Sequence, residues 1–200
     1  MTEIASQLVE TVRLPGGDGY TWMLASQLGK MLCLAESHFG TRDKTYTLLG
    51  FEFIDDVPQC WYPGNCGNIV IQLGRSCMRQ PDRACFQLAH ETIHLLAPTG
   101  GRNANVIEEG LAAHFQVWYM ANHYPSNWPR SGSDWSQFEC QSYAKAKSLV
   151  EELLALDPDA IKCLRNRQPA LSCITVDDIT TFYPELDLTV ATSLVKKFDR

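Results

Sequence analysis

The chain has no sustained run of lysine or arginine; Lys196 and Lys197 are its densest basic pair. Its formal charge is -6 and its pI is near 5.3. Nucleic-acid binding relies on clustered cations that neutralise phosphates, so a nucleic-acid partner is not expected. No apolar stretch approaches the roughly 18 residues that a membrane span needs, so no membrane partner is expected either. Met1 to Pro15 carries Glu3 and Glu10 and has no continuous apolar segment, which argues against a secretory signal. A soluble, cytoplasmic protein is the expectation. The eight cysteines include no C-x-x-C pair, which excludes a zinc knuckle and a thioredoxin-like redox motif. They are scattered over a chain large enough to fold without covalent staples, so free thiols are expected. Cys60 and Cys66, which flank a turn, are the pair to test first for a bridge. Internal repeats, low-complexity segments and linkers are also lacking. With 200 residues, 45% hydrophobic and 20% charged, the sequence describes a single globular domain over residues 1–200.

What is present is mostly helical periodicity. Ile4, Leu8 and Val12 give a weak helical pattern ahead of Pro15. Tyr20, Leu24, Leu28, Met31 and Leu32 predict a helix over 19–37, with Gly40 beyond its end. Residues 46–54 are rich in aromatic and β-branched side chains and read as a strand. Tyr62-Pro63-Gly64-Asn65 is a turn signal, because Pro fixes one central φ and Gly accepts a positive one. Residues 68–73 form a second strand, and together the two suggest a small antiparallel sheet. Helices follow over 81–96, with Pro81 at its first position, over 105–120, and over 133–156. Shorter ones are predicted at 158–165, 175–182 and 188–198, with Thr175 and Asp187 as caps. The fold class is α+β, mostly helical, with the sheet ahead of the 81–96 helix.

That helix carries His90-Glu91-Thr92-Ile93-His94, an H-E-x-x-H run. Four residues advance a helix by about 400°, so both imidazoles leave one face, one turn apart. This spacing lets two nitrogens reach one ion at about 2.0–2.1 Å. Glu91 lies about 100° further round, beside the ion rather than on it, where a carboxylate can take a proton from water. Phe86, Leu88, Ile93 and Leu95 make the helix a core element, which sets the run apart from a chance match.

H-E-x-x-H followed by a second helix bearing a glutamate resembles the gluzincin metallopeptidases. Here that helix reads Val106-Ile107-Glu108-Glu109-Gly110-Leu111-Ala112-Ala113 and resembles the family's E-G-[LF]-A signature. The resemblance implies that Glu109, the residue before Gly110, is the third ligand, and that His90, His94 and Glu109 hold one zinc ion. Fourteen residues separate His94 from Glu109, and Pro98, Gly100 and Gly101 among them can turn the chain. With Asn105 as N-cap, Glu108 is the third helical residue and can reach back to the Asn105 backbone as a capping box. Over roughly residues 20–120 the order of elements is similar to that of the small minigluzincins, which implies a zincin-like fold. Residue-level matching is confined to 90–94 and 108–113. The chain departs from the pattern at Ala113, where many gluzincins place an Asp that orients a zinc-bound His.

The implied activity is peptide hydrolysis on a peptide or protein substrate, with Glu91 activating water. Zincin chemistry also calls for a second electrophile from a later helix, for which Tyr143 is the first candidate, with His123 and Tyr124 behind it. His114 should point about 140° away from the metal-facing side of its helix. The strand at 68–73 is the candidate edge for pairing with an extended substrate. Two alternatives stand beside this reading: a catalytically weak or inactive zincin-like interaction module, and a zinc hydrolase of non-peptide amides or esters.

Overall fold

A computed structural model of the chain describes residues 24–64, 67–101, 103–123 and 140–199. The expected helix at 4–12, the Tyr20 end of the next one, residues 133–139, Tyr124 and Cys66 lie outside them. The seven described cysteines, Cys33, Cys60, Cys77, Cys85, Cys140, Cys163 and Cys173, are free thiols. Among the described residues no helix is long and apolar enough to cross a membrane.

Helix α1, Leu24–Phe39, buries Leu24, Leu28 and Met31 of the predicted stripe and leaves Leu32 half-buried, while Ala35, which the pattern does not include, is buried as well. It ends at Gly40, whose φ of 90° is open to glycine at little cost and whose N–H closes on the Glu36 carbonyl at 3.0 Å. Three strands follow: β1 (Thr47–Ile54), β2 (Gln59–Trp61) and β3 (Asn68–Gly74), in the order β1-β3-β2. β2 and β3 are antiparallel and β1 and β3 parallel, so the sheet is mixed, not antiparallel as expected. The three-residue β2, too short to show any periodicity, is the cause. It adds a second chain reversal between β1 and β3, which therefore run the same way. Between β2 and β3, Gly64 takes the positive φ that the turn signal expects, 76°, while Asn65 lies outside the described residues.

Ile69, Ile71 and Leu73 alternate onto the inner face of β3 and are fully buried. They face helix α2, Pro81–His94, which opens on Pro81 and ends two residues short of the expected Leu96. Each such side chain contributes about 2 kcal/mol of burial. α2 also packs on α1 and on α3 (Val106–Asn122), so that eight of its last nine residues before His94, Gln87 being the exception, are buried. α3 packs in turn on α4, Gln141–Leu156. Helices α5 (Ala160–Arg167), α6 (Val176–Phe182) and α7 (Leu188–Leu194) complete the chain. Thr175 and Asp187 cap α6 and α7 as predicted, Thr175 within a complete capping box with Asp178.

One buried cation ties this framework together. The Arg165 guanidinium of α5 donates to the carbonyls of Phe39, Gly40, Thr41, Leu96 and Pro169 at 2.6–3.2 Å. The carbonyl-rich ends of α1 and α2 are thus closed by one side chain, and helix C-termini favour positive charge.

Candidate metal centre

α2 and α3 lie side by side, and the faces they share carry the H-E-x-x-H and E-E-G-L-A residues. His90 Nε2 is 3.1 Å from Glu109 Oε2, and His94 Nε2 is 3.8 Å from the same oxygen. The two imidazole centroids are 5.2 Å apart. One donor atom from each of His90, His94 and Glu109 lies within 4.8 Å of the other two, so the buried group could hold a metal ion.

The donors fit such an ion on two grounds. Ligand atoms bonded at about 2.0–2.1 Å in a tetrahedron stand about 3.3 Å from one another, and the observed 3.1 and 3.8 Å bracket that value. Three buried carboxylates, Glu91, Glu108 and Glu109, also converge on two imidazoles. Buried anions are costly unless a positive charge compensates them, and a divalent cation would supply it. Burial alone would disfavour a charged His94, but Glu109, Glu108 and Glu91 outweigh it, and its pKa is pushed up to about 10.

Glu91 is 2% exposed, and its Oε2 has no hydrogen-bond partner among the described residues. Burial pushes its carboxyl up, while the His94 and His90 imidazoles draw it part of the way back. The thiol of Cys60, on β2, donates to the Glu91 backbone carbonyl at 3.9 Å. Burial, reinforced by the Glu91 charge, holds that thiol protonated.

Two hollows open on either side of the group, and Pro58 and Glu91 border both. One, of about 260 Å³, is walled by Val57, Phe86, His90, Gln116 and Tyr143. The other, of about 240 Å³, is walled by Cys60, Tyr62, His94, Glu108 and Phe198. Tyr143 is therefore placed at the site, its ring edge-to-face with His90 at 5.4 Å. His123 is exposed and packs on Trp118 and Tyr119. His114 faces α4, 3.2 Å from Glu151, outside the group as expected.

Two expectations fail here. β3 is the central strand, flanked by β1 and β2, and has no edge to offer a substrate; β2 is the outer strand on the side of the hollows. The capping box at α3 is only half formed. Asn105 Oδ1 accepts from the Glu108 N–H at 3.1 Å, but the Glu108 carboxylate turns instead to His94 Nδ1 at 2.7 Å. Sequence spacing could not separate these two uses, because a carboxylate at the third helical position reaches either way. Cys60, Gln116 and Phe198 were also missed, and no local pattern marks them.

Comparison of the chain with models of protein families, with curated proteins and with solved structures finds no match.

Proposed function

We propose that the chain is a zinc-dependent hydrolase of peptide bonds with a zincin-like active site. The observation that carries this reading is the convergence of His90, His94 and Glu109 beside the buried Oε2 of Glu91, which has no partner among the described residues. Two imidazoles and a carboxylate are a donor set that suits zinc. The chemistry zinc supplies when bound is Lewis acidity toward a carbonyl and a water acidified toward a pKa of about 7. Glu91 accepts the proton of the attacking water and passes it to the leaving amine. Its raised affinity for protons suits both halves of that transfer. Tyr143 hydrogen-bonds the substrate carbonyl oxygen as negative charge builds there. An extended peptide lies along β2, with side chains entering the hollows on either side of Glu91.

The runner-up is a metal-binding module without turnover, favoured by Ala113 at the position of the usual orienting Asp. Elemental analysis combined with Glu91→Gln separates the two. The wild type is expected to hold one zinc per chain and to cleave a peptide library. Glu91→Gln is expected to keep the zinc and lose at least about 100-fold in rate, the general-base contribution. Full activity in that variant sinks the mechanism, and protein without stoichiometric zinc sinks the site.

A further inference from the structure

We propose that Glu108 is the positioning carboxylate of the metal centre, holding His94 with Nδ1 protonated and Nε2 turned to the ion. The proposal rests on the reading of His90, His94 and Glu109 as zinc ligands.

Four observations support it. His94 lies between two carboxylates that address opposite ring nitrogens: Glu108 Oε1 is 2.7 Å from Nδ1, and Glu109 Oε2 is on the Nε2 side. A carboxylate accepts only, so a neutral imidazole paired with Glu108 carries its proton on Nδ1 and leaves the Nε2 lone pair for a metal. Glu108 is buried, so the bond is shielded from competing water.

Second, helix capping does not need this side chain. The α3 cap is made by Asn105 Oδ1 to the Glu108 backbone N–H. The same chain shows what a carboxylate at the third helical position does when it caps. Asp178 Oδ2 accepts from the Thr175 N–H at 3.0 Å and completes the box. Glu108 gives up that bond for His94.

Third, Ala113, one helical turn beyond Glu109 on α3, is fully buried and apolar, so that position offers the histidines no carboxylate. Fourth, Glu108 is not part of the group of donors that could share one ion. Neighbouring carboxylates on α3 thus divide the work, Glu109 toward the ion and Glu108 behind the histidine. Such outer partners fix the tautomer and raise ligand basicity, and their loss typically costs about 10–100-fold in metal affinity.

The test uses the full chain, stripped with a chelator and titrated with zinc against a chromogenic competitor, as wild type, Glu108→Gln, Glu108→Ala and Glu109→Gln. Glu108→Ala is expected to weaken zinc binding by about 10–100-fold. Glu108→Gln keeps an acceptor of the same shape without the charge and should fall between. In the zinc-loaded wild type, the His94 Nδ1–H proton should resonate downfield and resist exchange with water, and Glu108→Ala should lose that signal. If both Glu108 variants bind zinc within about threefold of wild type, the inference is overturned, even where the metal-free protein melts lower. Zinc bound by the wild type and lost in Glu109→Gln keeps the ligand set in that case. Absence of stoichiometric zinc in the wild type overturns the ligand set itself.

Discussion

Gly110 follows Glu109 and sits where α3 approaches α4 closely. A Cβ built there would stand 2.7 Å from the Ala146 carbonyl carbon and 2.8 Å from Val150 Cγ2. Ordinary contacts begin near 3.4 Å, and the nearer obstacle is backbone, which cannot rotate away. Gly110→Ala therefore has to push α3 and α4 apart. Helix propensity favours alanine by about 1 kcal/mol, while overpacking against a rigid neighbour costs about 3 kcal/mol, the upper end for such insertions. The net expectation is a loss of about 2 kcal/mol, or roughly 4–8 °C in Tm for a chain of this size. Because α3 carries Glu109, zinc affinity at the proposed site should fall with it. Gly29 is the internal control: it is exposed in α1 with nothing within 4 Å of its hypothetical Cβ. Gly29→Ala should stabilise by about 0.5–1 kcal/mol from propensity alone. Urea denaturation of both metal-free variants reads the comparison. If Gly110→Ala is as stabilising as Gly29→Ala, the close approach of α3 to α4 is refuted.

Two further outcomes follow from the framework. Arg165→Met should cost about 3 kcal/mol by taking the guanidinium donor from the buried carbonyls of Phe39 and Gly40, whereas the Leu96 carbonyl keeps the Asp43 N–H. Urea titration checks it, and a loss below about 1 kcal/mol would show that those carbonyls find other partners. Burial raises the Cys140 thiol, but hydrogen bonds from the Ser142 hydroxyl and the N–H groups of Tyr143 and Ser142 outweigh it, and its pKa is lowered. A lowered pKa puts more thiolate present at pH 7–8, so iodoacetamide should label Cys140 well before Cys85, whose burial pushes its thiol far up. Peptide mapping with equal labelling of the two would contradict this.

The residues that the sequence exposes most clearly are those fixed by local geometry. His90 and His94 share a face because a helix imposes it, and the Pro81, Asn105, Thr175 and Asp187 helix starts follow from donors that a helix leaves unpaired. Glu109 was legible through its Gly-Leu-Ala context, which Gly110 explains by the space it leaves for Ala146. What was not legible depended on long-range choices. The direction of β1 against β3 turned on a three-residue strand. The allegiance of Glu108 turned on where α2 ends relative to α3. Phe198 enters the site from the far end of the chain, through a pairing that no spacing foretells.

That last pairing reaches beyond the cleft itself. Phe198 N–H bonds the Ala104 carbonyl, Val106 N–H bonds the Lys196 carbonyl, and Asn105 bridges to Lys197, so the stretch just before α3 has residues 196–198 as its neighbour. During synthesis all three nitrogen and oxygen donors leave the ribosome long before that neighbour does. A nascent chain thus exposes the three donor residues of the proposed site well ahead of the wall that bounds the acidic hollow.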